Sequence, residues 1–156
     1  MAYYTASSFE PDTSVGYLAK RVFQLSAAGL EPMFAEEGTT LTQWSALVSL
    51  HYGRADTCAE LARDLVHDKG ATTRLIDSLE AKGWVRRVRD SDDRRVSRLT
   101  LTENGERVAQ RCRARVVACW NEWLADWSRA DVDQLLTLLH RLRGDLEQQV
   151  LGEVAA

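Results

Sequence analysis

The feature that most constrains this chain is a change of hydrophobic period between Thr57 and Thr102. Helical spacing holds as far as Gly83 and then gives way to two-residue alternation. Cys58 to Leu65 reads as a short helix, with Thr57 as N-cap and Glu60 at the capping-box position. Ala59, Leu61, Ala62 and Leu65 give it a narrow apolar stripe suited to close packing across another helix. Val66-His67-Asp68 breaks the pattern, and Asp68 is placed to cap a second helix that ends near Lys82, before Gly83. Trp84 to Val88 and Val96 to Leu101 then read as strands around a tip rich in Asp and Arg. Helix, turn, helix and hairpin in this order predict a winged helix-turn-helix in a mainly α chain with a small β-hairpin.

The second helix has two distinct sides. At 100° per residue, Ala71, Leu75, Ile76 and Leu79 fall inward. Gly70, Thr73, Arg74, Asp77 and Ala81 fall outward. A helix that reads a DNA groove needs small residues near the bases and donors that reach their edges. The alternative is a solvated face with Arg74 and Asp77 as an i,i+3 ion pair.

Charge favours the first reading. The chain carries a net −3, yet residues 57–102 hold ten Lys/Arg against eight Asp/Glu, leaving the remainder at −5. From Lys82 to Arg98 there are seven cations and three anions. Arg at a hairpin tip suits the minor groove, where the negative potential is strongest. Asp93, beside Arg94 and two residues from Arg95, can hold a guanidinium at a fixed angle. The competing reading is a solvated turn with ordinary surface pairs.

Leu41 to Gly105 resembles the MarR family of bacterial transcription regulators. The resemblance rests on Leu41-Thr42-Gln43-Trp44, on Ala59-Glu60-Leu61-Ala62, on Thr73 through Gly83, and on Asp90 to Arg95 followed by Leu99-Thr100-Leu101-Thr102-Glu103-Asn104-Gly105. It implies a homodimer on double-stranded DNA, most simply a ligand-responsive repressor at a pseudo-palindromic operator. On that reading Thr73 and Arg74 contact base edges, and Lys69 and Gly70 meet the backbone near the helix start. Asp77 lies on the same face, Arg94 and Arg95 enter the minor groove oriented by Asp93, and Arg86 and Arg98 sit on phosphates or brace the wing. Family members often bind small aromatic acids or phenols between the DNA-binding module and the dimerisation helices. Arg21, Trp44 and His51 are the candidates for lining such a pocket here.

The flanks supply more apolar helix than a module of this size needs. Val15, Leu18, Val22 and Leu25 keep seam spacing. Gly29 and Pro32 predict a kink near Glu31 or two shorter helices. Thr42 is expected to cap a helix to about Tyr52, with Trp44, Leu47, Val48 and His51 inward. A short strand at Asp56-Thr57 can pair with the hairpin. Thr102 is expected to cap a helix from Glu103 to near Trp127, and Ser128 with Asp131 marks a final helix bearing Val132, Leu135, Leu136, Leu139, Leu142 and Leu146. The expected organisation is an N-terminal arm and dimerisation helix (1–38), the winged module (39–102) and C-terminal dimerisation helices (103–156).

Other functions find less support. No phosphate loop, nucleophile elbow or metal-ligand helix motif occurs, so no enzyme and no cofactor is expected. His51, His67 and His140 lack zinc-ligand spacing, so no metal is expected, although some relatives of the resembled family sense zinc. Three cysteines without a CxxC suggest reduced thiols in the cytoplasm. Cys112 and Cys119 lie about 10 Å apart along one helix, too far to bridge within it, though a redox-responsive regulator using an inter-subunit bond is an open alternative. The N-terminus lacks the marks of a signal peptide, and no segment reads as membrane-spanning. A winged-helix adaptor for protein partners is the alternative from another class.

Overall fold

A computed structural model describes residues 3–90 and 97–151. After a 3-10 turn at Pro11–Thr13, the described elements run α1 (Val15–Glu36), α2 (Leu41–His51), α3 (Cys58–Asp64), α4 (Lys69–Ala81), β1 (Val85–Arg89), β2 (Ser97–Leu101), α5 (Glu103–Trp123) and α6 (Arg129–Leu146). A π-helical turn follows at Glu147–Leu151. The chain divides into two compact units, with the boundary inside α5 between Val116 and Val117.

In the first unit, α3 and α4 form the helix-turn-helix, and each starts at the cap its sequence announces. Thr57 Oγ1 accepts from Glu60 N at 3.2 Å. The Glu60 carboxylate accepts from Asp56 N at 2.9 Å, one residue upstream of the usual capping-box partner. Asp68 Oδ1 accepts from Ala71 N at 2.8 Å. Between the two helices Val66 takes a φ of 53°, a conformation uncommon for a β-branched residue. His67 N then donates to Ala62 O at 2.9 Å and closes the turn.

Leu61, Ile76 and Leu79 are fully buried, each worth about 1.5–3 kcal/mol in apolar transfer. The inner face of α4 differs from expectation at one place. Ala71 is half-buried and Thr72 is fully buried instead. Its hydroxyl donates to Asp68 O at 2.9 Å, so the polar atom enters the core already paired.

α4 stops where Gly83 takes a φ of 66°. Gly83 N donates to Glu80 O at 2.8 Å and Trp84 N to Leu79 O at 2.9 Å, the Schellman pairing. β1 and β2 pair antiparallel from Val85↔Leu101 to Arg89↔Ser97, with Val85 and Leu99 buried. The expected third pairing is present: Thr57 bridges Arg98, and Leu99 N donates to Asp56 O at 2.6 Å. This is a winged helix-turn-helix.

Several boundaries move. α2 is capped by Thr40, whose Oγ1 accepts from Gln43 N at 3.2 Å, rather than by Thr42. Thr40 holds the extended backbone a cap requires, and Thr42 already lies inside the helix. Leu47 is buried as expected, together with Ala46 and Ser49, whereas Trp44, Val48 and His51 are half-buried. α1 is one helix through Pro32 rather than two. The turn that lacks the Pro32 donor is held by burial of Leu30, Met33 and Phe34. α5 ends at Trp123 rather than near Trp127, where Ala125 N to Glu122 O and Trp127 N to Leu124 O tighten the chain. α1 is tied to α5 by Arg111 Nε to Glu37 at 3.0 Å and Arg115 Nη2 to Glu36 at 2.5 Å.

In the second unit, Ser128 caps α6 by accepting from Asp131 N at 3.2 Å. α6 has no buried residue. Leu135, Leu136, Leu139 and Leu146 are exposed, while Val132 and Leu142 are half-buried. In the first unit, Val15, Leu18, Val22 and Leu25 of α1 are exposed in the same way.

Candidate nucleic-acid interface

The outward side of α4 is open. Lys69, Gly70, Thr73, Arg74 and Asp77 are all exposed. Asp68 N-caps the helix beneath them. Its carboxyl is held below the ordinary aspartate range first by the Ala71 N–H, against an opposing push from desolvation. Arg74 lies back along this end of the helix. A methyl added at Gly70 would meet Arg74 Nη1 at 3.5 Å and Asp68 Oδ1 at 3.2 Å. The carboxylate is the closer neighbour, so a side chain at this position would press first on the helix cap.

Thr73 Oγ1 donates to Lys69 O at 2.8 Å, which leaves its oxygen able to accept, and the residue is exposed. Cys58 Sγ lies 4.0 Å from the same hydroxyl. An acceptor, a methyl and a guanidinium within one turn can address the donors, the thymine methyl and the purine N7 edge of a major groove.

The two arginines expected beside the hairpin are placed differently from each other. Arg86 Nε donates to Thr100 Oγ1 across the strands at 3.0 Å, and its charge has no carboxylate partner among the described residues. Arg98 is paired with both Asp56 and Asp90, and these two carboxylates raise its pKa. It braces β2 against the turn before α3. Asp77 pairs not with Arg74 but with Arg87, at 2.7 Å. Asp93, Arg94 and Arg95 lie outside the described residues.

Arg87 and Glu80 have no place in the sequence-based site, yet they join the hairpin to α4. Arg87 N donates to Glu80 Oε1 at 3.0 Å, and its guanidinium also reaches Glu80. Strand alternation carried the signal: Arg87 lies two residues from buried Val85, on the hairpin's inward face. Lys82 makes a further tie, with Nζ donating to Gly38 O at 2.6 Å and to Gln43 Oε1 at 2.8 Å.

The three pocket candidates do not gather. Arg21 is exposed on α1 and reaches Gln24. Trp44 packs on Phe34 with ring centroids 5.5 Å apart, and its Nε1 is buried with no partner among the described residues. His51 Nδ1 sits 2.6 Å from Glu106 Oε1, beside a narrow cleft shared with Tyr52, Gln110 and Arg113. A larger groove of about 610 Å³ runs between α1 and α2, with Phe23, Glu31, Phe34 and Thr39 among its walls.

The three cysteines are free. Burial pushes the Cys112 thiol up, away from the thiolate that oxidation requires. No group of three His, Cys, Asp or Glu suited to a metal occurs among the described residues. No described helix is long and apolar enough to cross a membrane.

The capping carboxylate beneath the interface gives a pH signature. Glu60 is held below the ordinary glutamate value of 4.5, first by the Asp56 backbone N–H. A lowered folded-state pKa contributes stability above the unfolded value and loses it as pH falls through the folded one. Thermal melting of wild type and Glu60→Gln should therefore differ at neutral pH and converge as the pH drops below about 4.5. A gap that widens on acidification would contradict the assignment.

A family model described as the MarR family matches residues 39–97. The chain is 31% identical over 111 residues to the multiple antibiotic resistance protein MarR of Salmonella typhimurium, spanning 71% of this chain and 77% of that protein. It is similar to a mutant MarR of E. coli complexed with operator DNA, with TM-score 0.74, 28% identity and coverage of 86% and 97% of the two chains. It is also similar to the PcaV transcriptional regulator of Streptomyces coelicolor in complex with its natural ligand, with TM-score 0.74, 26% identity and coverage of 88% and 96%.

Proposed function

This chain belongs to the MarR family of transcription regulators, and from that premise we propose that it is a homodimeric, ligand-responsive repressor of a pseudo-palindromic operator. The observation that carries the reading is the exposed outer side of α4, where Lys69, Gly70, Thr73 and Arg74 stand clear of the chain. Thr73 and Arg74 read base edges in the major groove. Lys69 and Gly70 approach phosphates at the positive end of the helix. Arg86 adds a phosphate contact from the hairpin, and Arg94 and Arg95, oriented by Asp93, enter the minor groove. The protein acts on DNA in the cytoplasm as a binder rather than a catalyst.

Dimerisation explains the uncovered apolar residues of α1 and α6, which a monomer would leave in water. A two-fold assembly presents two recognition helices to half-sites about one helical turn apart. The groove between α1 and α2 has the size and the aromatic lining for a small aromatic or phenolic effector. Such an effector would act by binding one spacing of the two recognition helices better than another.

The test is binding to the duplex upstream of the protein's own gene, followed by fluorescence anisotropy across a salt series, with sedimentation velocity in parallel. The expected result is a preference for that duplex over a scrambled one, steep weakening with salt and a dimer at micromolar concentration. Equal affinity for both duplexes would contradict sequence-specific regulation, and absence of binding would favour a protein adaptor. A monomer would contradict the paired-helix arrangement.

A further inference from the structure

We propose that Arg87 is a positioning residue for operator recognition, locking β1 to α4 through Asp77 and Glu80 and so setting the angle at which helix and wing meet the duplex. The inference rests on the DNA-binding reading. It assigns Asp77 to the frame of the interface rather than to a base.

Three contacts carry it. The Arg87 guanidinium reaches Asp77 Oδ1 at 2.7 Å through Nη2 and Glu80 through Nη1. The Arg87 backbone N–H donates to Glu80 Oε1 at 3.0 Å. Both carboxylates stand one turn apart on α4, so one planar guanidinium spans the helix surface while its backbone is held by the same Glu80. A lysine offers one compact charge and cannot reproduce that fork. Because Arg87 faces inward, opposite Leu99, it is turned away from the side that carries Arg86.

The charge layout gives the arrangement its direction. The first two turns of α4 carry Lys69 and Arg74, and the following turns carry Asp77 and Glu80. The cationic end is drawn to phosphate. The acidic part would be repelled if bare, and Arg87 neutralises part of it while tying it to the hairpin. Exposed ion pairs contribute little to stability, and the side chains of Arg87 and Asp77 are 34% and 57% exposed. The consequence of the contact should therefore appear in recognition more than in folding.

The experiment is a double-mutant cycle with Arg87→Ala and Asp77→Asn, adding Arg87→Lys. Each protein is titrated with the own-gene upstream duplex and with a scrambled duplex at several salt concentrations, and melted without DNA. Each single variant should lower discrimination between duplexes by about tenfold, mid-range for contacting pairs. Scrambled-duplex affinity and salt slope should stay as in wild type, and melting should be little changed. The double variant should be no worse than either single one, and Arg87→Lys should fail to rescue.

Three results would overturn the proposal: unchanged discrimination, additive losses in the double variant, or equal weakening on both duplexes with a shallower salt slope, which marks a phosphate contact. If Arg87→Ala melts low, the isosteric Asp77→Asn carries the test by itself. A wild type that does not discriminate would instead refute the regulator reading, and the inference would fall with it.

Discussion

Gly105→Ala should lower stability by about 3 kcal/mol, the upper end of what overpacking a well-filled site costs. Gly105 lies in the first turn of α5, against the main chain of Trp84. A Cβ there would come within 2.8 Å of the Trp84 carbonyl carbon and closer still to its oxygen. Neither side can yield cheaply. Trp84 is fixed by its N–H on Leu79 O at 2.9 Å and by its own carbonyl, which accepts from Thr102 N at 3.0 Å. Gly105 is fixed by its N–H on Thr102 Oγ1 at 3.0 Å, and that hydroxyl donates to Gly83 O at 2.6 Å. The added methyl must therefore push the start of α5 off the root of the hairpin. Urea unfolding at matched protein concentration measures the loss. A midpoint equal to wild type would mean that the two segments are not in the contact described.

Arg74→Ala should have the larger effect on function. A base-edge contact is worth about 1–3 kcal/mol, and in a two-fold complex the substitution removes it from both half-sites. The expected loss is about 2–6 kcal/mol in operator affinity, roughly thirty-fold to twenty-thousand-fold. It should come with relaxed preference at one base pair in each half-site. Folding should be unaffected, because Arg74 is exposed and its identified neighbours are Gly70 and Asp68 at the helix start.

Much of the fold is readable because its causes are local. Thr57, Asp68 and Ser128 cap helices as their positions announce, since a cap is decided within four residues. Gly83 ends α4 because the left-handed turn there favours a residue without Cβ. The exposed side of α4 follows from helical spacing. What spacing alone does not reveal is which partner a polar group finds, within a helix or between elements. Thr72 enters the core because its hydroxyl finds the Asp68 carbonyl, where an apolarity count favours Ala71. Asp77 is taken by Arg87, ten residues away, rather than by Arg74 three away. Arg98 is held by Asp56, forty-two residues earlier. Helical spacing cannot see such pairs, although alternation from Val85 points Arg87 inward.

The flanks show the same limit. Seam spacing on α1 and α6 marks apolar residues that the protomer leaves exposed, but spacing does not say where a helix stops. α5 ends a turn early, at Trp123, and Pro32 is absorbed within α1. Arg21, Trp44 and His51 are pocket candidates on the family resemblance, and the fold gives each a separate neighbour: Gln24, Phe34 and Glu106.

The most direct measurement is a base-substitution scan of the bound duplex, titrated with wild type and with Arg74→Ala. The account predicts that wild type penalises a substitution at one symmetric pair of positions and that Arg74→Ala is indifferent there while still discriminating elsewhere. Uniform weakening of Arg74→Ala on every sequence, with the wild-type pattern of preferences intact, would show that the outer side of α4 meets phosphate alone and does not read the operator.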